Sequence, residues 1–133
     1  MEIFGIGIDI VNIKRMELSL KKKKYGVKFK NKIFSKSEIF YCDKKKNSSA
    51  FYAKRFAAKE ALSKALGTGI RKGVNLKNIE ISNNIHGKPS ILLKGKVANY
   101  LRKKVKSKKY DIHLSLSDDK PWALAMVIIS YNK

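Results

Sequence analysis

The stretch from Ser48 to Gly69 constrains this chain more than any other, because its alanines leave a helix little but small side chains to bury. It is rich in strong helix formers and ends in Gly67 and Gly69, so the sequence predicts a helix from about Ser48 that stops at those glycines. At ~100° per residue, Ala50, Phe51, Ala57, Ala58, Ala61, Leu62 and Ala65 fall on one broad stripe. Such a stripe lets a helix lie close to a sheet. Glu60 and Lys64 are four apart at its border, beside Ala53 and Phe56, where a carboxylate and an ammonium can be held half-buried. Taken alone, the pair equally fits a solvated surface contact contributing ~0.2–0.5 kcal/mol.

A second stretch answers the first. Ile3 to Val11 alternates as a strand does, with Phe4, Ile6, Ile8 and Ile10 on one face and Gly5, Gly7 and Asp9 on the other. Glycines facing the same way make a bare patch where a helix can come close, and the Asp9 carboxylate stands just beyond it.

Gly5-Ile6-Gly7-Ile8-Asp9-Ile10-Val11 with Arg15, and Arg55-Phe56-Ala57-Ala58-Lys59-Glu60-Ala61 running through Lys64 to Ile70, resemble the two signatures of the holo-acyl-carrier-protein synthase family. The resemblance spans nearly the whole chain, including the Gly87-Lys88-Pro89 turn. It implies a small phosphopantetheinyl transferase of fatty acid biosynthesis, which moves 4'-phosphopantetheine from coenzyme A to a serine of apo acyl carrier protein and releases adenosine 3',5'-bisphosphate. It further implies a Mg²⁺ ion on Asp9 and Glu60, and Lys64 beside a phosphate. Arg55, Lys64, Gly67, Gly87, Lys88 and Pro89 would meet coenzyme A, and Arg15 an acidic side chain of the carrier. A cyclic trimer with each coenzyme A site between neighbours completes the expectation. One departure stands out: many relatives have His two residues after the Ser-Leu pair of the last hairpin, whereas here Ser115-Leu116-Ser117 leads to Asp118. A mechanism that relies on that His does not transfer.

With 133 residues the chain fits one domain, 1–133, able to bury a core without staples. Its longest uncharged apolar run, Trp122 to Ile129, is well short of the ~20 residues of a membrane helix. Met1-Glu2 leads straight into a strand with no basic-then-apolar signal region. The sole cysteine, Cys42, forms no internal disulfide and reads as inert and partly buried, which fits the cytoplasm. Lys and Arg number 31 against 10 Asp and Glu, a formal charge of +21 that attracts polyanions of any kind. A basic nucleic-acid-binding protein or a metal-dependent nuclease is therefore the competing class. No zinc-knuckle cysteines or aromatic RNA-binding signature support the first, and the second leaves the Gly87 turn unused. For an enzyme acting on an acidic carrier, a basic face speeds encounter and loses force with salt.

The remaining elements follow from local pattern. Asn12 caps a helix from about Ile13, with Ile13, Met16 and Leu20 on one side before the lysine run 21–24. Ser35-Lys36-Ser37-Glu38 has the form of a capping box and opens a short helix. Tyr52 and Phe56 read as packing residues. Arg55 and Lys59 point away from most of the alanine stripe, either solvated or facing a phosphate across a subunit boundary. After a loop from Arg71 to Asn75, Lys77 to Asn83 and Ser90 to Lys94 form a hairpin around Gly87, with His86 an exposed loop residue. Lys96 to Lys108 reads as a helix with Val97, Leu101 and Val105 inward. Tyr110 to Ser117 alternates as a strand, with His113 structural. Trp122 to Ser130 reads as a strand buried on both faces, joined to the former by Asp118 to Pro121. The fold class is α+β, one antiparallel sheet of about five strands with the long helix packed across it.

Chemically, Asp9 and Glu60 offer hard oxygen ligands that suit Mg²⁺. Breaking a pyrophosphate needs charge neutralisation above all, which Lys64 would share with the metal. Glu60 is the first choice for general base and Asp9 the alternative.

Overall fold

The computed structural model describes residues 1–67 and 74–133. In chain order the elements are β1 (Glu2–Asn12), α1 (Ile13–Lys21), α2 (Lys23–Ile33), α3 (Lys36–Asp43), α4 (Ser48–Leu66), a 3-10 turn (Leu76–Asn78), β2 (Ile79–Asn83), β3 (Pro89–Leu93), α5 (Gly95–Lys104), β4 (Tyr110–Asp119) and β5 (Trp122–Tyr131).

The helix starts follow the sequence. The Asn12 side chain accepts from the backbone N–H of Arg15 at 2.9 Å and so starts α1. Ser35 and Glu38 form a reciprocal capping box on α3. Helix α4 ends at Gly67 in the left-handed region, φ +82°. The second expected stop, Gly69, lies outside the described residues, as does the expected loop as far as residue 73. Helix α5 ends at Lys104, short of the expected Lys108, and Val105 just beyond it is still buried. Helix α2 was not anticipated. Its lysines hide a regular spacing of Tyr25, Phe29 and Ile33, four apart.

The strands are antiparallel throughout, as expected, but they hydrogen-bond as two sheets: β1-β5-β4, and β2-β3. Strand β3 lies against β4 without joining its ladder. The sheets meet through side chains, with Val97 and Leu101 of α5 and Val105 just after it packed into the same core as Ile79, Ile81 and Val127.

Helix α4 crosses the three-stranded sheet on the face that carries Gly5 and Gly7. A Cβ at Gly5 would lie 1.9 Å from the Ala65 carbonyl oxygen, and one at Gly7 1.8 Å from that of Ala61. Only hydrogen at those Cα atoms permits this approach. Ala123, Ala125, Val127 and Ile129 of β5 face the same helix and are at most 1% exposed. The expectation that β5 is buried on both faces fails. On the other side Trp122 is 45% and Met126 42% exposed, and the facing β1 residues Ile6, Ile8 and Ile10 are 55–61% exposed. Nothing within a single chain covers this face among the described residues.

Candidate active site

Because α4 rests on the glycines of β1, the next inward-facing residue of that strand, Asp9, comes up against the side of the helix that carries Glu60 and Lys64. The Lys64 ammonium donates to the Asp9 Oδ1 at 3.0 Å and to the Ile8 carbonyl at 2.9 Å. It therefore turns to the strand rather than to Glu60, and the ordinary surface pair at helical spacing does not form among the described residues. Glu60 is half-buried. Burial holds its carboxyl above the usual carboxylate range, the Asp9 charge adds to this, and Lys64 opposes it.

Asp9 and Glu60 line one open cavity of about 880 Å³, together with Arg15, Phe29, Phe56 and Trp122. A second cavity of about 620 Å³ shares Phe29, Phe56 and Glu60 with the first and is also walled by Ile33, Val74 and Leu76. Glu60, Phe56 and Phe29 thus border both cavities. Sequence reasoning treated Phe56 as packing and gave Phe29 and Trp122 no role. The spacing of Phe29 with Tyr25 and Ile33 was the available signal.

No cluster of three or more His, Cys, Asp or Glu occurs among the described residues. Two carboxylates in one cavity are nonetheless a donor set of the kind Mg²⁺ uses, since that ion commonly takes one or two carboxylates and completes its shell with water and phosphate oxygens. The Lys64 ammonium on Asp9 shows that this carboxylate already attracts a cation at that position.

Arg55 and Lys59 are not solvated: they are 2% and 0% exposed. Lys59 donates to Glu38 Oε1 at 2.8 Å and to the carbonyls of Leu76 and Ile79 at 2.8 and 2.6 Å, while Glu38 Oε2 accepts from the Ile81 N–H. This fully buried pair ties α3 and α4 to the 3-10 turn and β2. Both members are satisfied, as buried charges must be. Arg55 lies over the Tyr41 ring, 4.2 Å from its centroid, and donates to the Asn83 Oδ1 at 2.6 Å.

Apart from Arg15, the other expected site residues line neither cavity. Gly87 and Lys88 lie in the β2–β3 turn, Pro89 opens β3, and none of the three borders either cavity. Gly67 caps α4. Asp118 pairs with Lys54 at 3.0 Å. The His113 Nε2 is 3.0 Å from the Ser130 hydroxyl. Cys42 is fully buried, more than expected, and burial pushes its thiol up to about 11, so it is inert at neutral pH.

The sequence profile of the 4'-phosphopantetheinyl transferase superfamily matches residues 5–127. A holo-[acyl-carrier-protein] synthase of Wolbachia pipientis is 50% identical over 132 residues, covering 96% of this chain and 97% of its own length. The crystal structure of holo-[acyl-carrier-protein] synthase from Neisseria meningitidis superposes with a TM-score of 0.84 at 36% identity, over 96% of this chain and 98% of that one. The Helicobacter pylori enzyme, in complex with coenzyme A, gives a TM-score of 0.79 at 37% identity, over 94% of this chain and 99% of that one.

Proposed function

The chain belongs to the 4'-phosphopantetheinyl transferase superfamily, and from that membership we propose that it transfers 4'-phosphopantetheine from coenzyme A to a serine of apo acyl carrier protein. The observation that carries the reading is that Asp9 and Glu60 line one cavity with Arg15, while Lys64 is bonded to Asp9. A carrier serine reaching Glu60 along that cavity attacks the pantetheine-side phosphorus of the donor's pyrophosphate. The P–O bond to the bridging oxygen breaks, and adenosine 3',5'-bisphosphate departs with the electron pair.

Asp9 and Glu60 are the residues that would hold Mg²⁺, whose chemistry here is to neutralise pyrophosphate charge and orient its oxygens. Glu60 takes the proton of the serine hydroxyl. Lys64, held on Asp9, offsets charge on the leaving phosphate.

Gly87, Lys88 and Pro89 would meet the nucleotide end of coenzyme A, with Gly67 and the buried Arg55 contributing nearby. Since that turn lies apart from Asp9 in one chain, the complete site is assembled between subunits of a homotrimer. The uncovered apolar face of β1 and β5, with Ile6, Ile8, Ile10, Trp122 and Met126, supports an assembly that buries it. Arg15, exposed on α1, would meet an acidic side chain of the carrier, and the charge of +21 would hasten encounter with so acidic a partner. No described helix is long and apolar enough to cross a membrane. We place the protein in the cytoplasm as one domain, 1–133, of fatty acid biosynthesis.

Incubation with coenzyme A, Mg²⁺ and apo acyl carrier protein tests the reading. The carrier should gain the mass of a single phosphopantetheine. An unchanged carrier mass under those conditions would refute it.

A further inference from the structure

Arg55 poses a question that its burial sharpens. A guanidinium that is 2% exposed has no carboxylate within 4.0 Å among the described residues, and its Nε has no hydrogen-bond partner there. Its charge rests on the Tyr41 ring and on one short bond to Asn83 Oδ1, 2.6 Å. Asn83 closes β2, opposite Pro89 of β3. Its Nδ2 donates to the Gly87 carbonyl at 2.9 Å. The amide orientation is forced: arginine can only donate, so the oxygen faces Arg55, and a carbonyl can only accept, so the nitrogen faces Gly87.

The turn that Asn83 grips is already rigid in itself. Asn84 Oδ1 accepts from the N–H groups of His86 and Lys88, both at 2.9 Å, and the Asn84 N–H donates to the Lys88 carbonyl at 2.9 Å. Gly87 takes φ +83°, and its N–H donates to the Asn84 carbonyl. These bonds fix the shape of the turn but not its tilt against α4. Among the described residues, a side-chain link joins the turn to α4, running from Arg55 through Asn83 to Gly87. Arg55 shares α4 with Glu60, so the link relates the turn to the helix that carries the reacting carboxylate.

We infer that Asn83 is a positioning residue for the donor: it couples the buried Arg55 to the Gly87 carbonyl and so sets where the turn presents Lys88 to coenzyme A. This rests on the reading that the Gly87-Lys88-Pro89 turn meets the nucleotide. Asparagine is suited to the role because it accepts and donates at once. Aspartate would keep the bond to Arg55 and give that cation a counter-charge, but would set a carboxylate oxygen against the Gly87 carbonyl. Alanine would drop both bonds.

The test compares Asn83→Asp, Asn83→Ala and Lys88→Ala by steady-state kinetics and thermal unfolding of the intact chain. Asn83→Asp should unfold no earlier than the parent. Its KM for coenzyme A should rise about tenfold with kcat within about twofold, the pattern of lost uniform binding, and its KM for the carrier should not move. Asn83→Ala should raise the same KM. A merely structural role predicts instead that KM follows stability, leaving Asn83→Asp like the parent. A parental KM for coenzyme A in both Asn83 variants, with a raised KM in Lys88→Ala, overturns the inference and leaves the reading of the turn standing. A parental KM in all three variants overturns both.

Discussion

Replacing Gly7 by alanine is the sharpest perturbation of the contact on which the site depends. The added Cβ would lie 1.8 Å from the Ala61 carbonyl oxygen, 2.8 Å from its carbon and 2.9 Å from the Ala65 nitrogen. All three are helix backbone, so no flexible side chain can yield. Since real Cβ atoms essentially never come within 3.0 Å of such atoms, α4 must withdraw from β1 by more than 1 Å along that contact. Overpacking of this kind costs ~1–3 kcal/mol or more. Ala61 follows Glu60 directly, and Gly7 is two residues before Asp9, so the retreat separates the residues proposed to act together. A misplacement of about 1 Å can cost ~10²-fold in rate. Urea unfolding should therefore show a lower midpoint with an unchanged slope, and steady-state assay with coenzyme A and apo carrier protein should show a loss of about that size. Gly7→Ala with parental stability and parental turnover would refute the argument that close helix–strand contact sets the site.

Other outcomes follow from the same geometry. Lys64→Ala should lower kcat by roughly 10²-fold if its ammonium offsets leaving-group charge, and an unchanged kcat in a rate assay would return it to a bystander of Asp9. Glu60 binds its proton more tightly when folded than its ordinary value of 4.5, so its contribution to stability is complete below about that pH and is lost as pH rises through the raised folded value. Metal-free Glu60→Gln should accordingly overtake the parent in thermal stability as pH climbs toward neutrality; parallel melting curves at every pH would contradict this. Ile8, 56% exposed at the middle of the open β1 face, should tolerate Arg within a single chain but break the proposed trimer. Light scattering should then report monomer with activity lost, and a fully active monomer would remove the need for sites between subunits.

Much of this arrangement was legible in the residues. Gly5 and Gly7 facing an alanine stripe announced that a helix would lie on the first strand, and the family resemblance pointed to Asp9, Glu60 and Lys64 beside that contact. Asn12, Ser35 and Glu38 announced helix starts because capping is local chemistry. What escaped depends on residues distant in sequence. Lys59 and Arg55 look solvated on a helical wheel, since their partners come from α3 and the β2–β3 region. Phe29 was hidden by a helix whose lysines mask its apolar side. Strand β5 reads as buried on both faces because Trp122 and Met126 are apolar, yet the chain alone covers only the alanine face. The division of five strands into two sheets likewise depends on how α5 packs, which strand patterns do not encode.

The central claim is that Asp9 and Glu60 act as one cation site. Isothermal titration of the intact protein with Mn²⁺ in the presence of coenzyme A, repeated on Asp9→Asn and Glu60→Gln, tests it without requiring turnover. Each substitution should weaken binding by at least the ~10-fold typical of disturbing even an outer-shell partner of a metal. Parental Mn²⁺ affinity in both variants, with both still folded, would contradict the account.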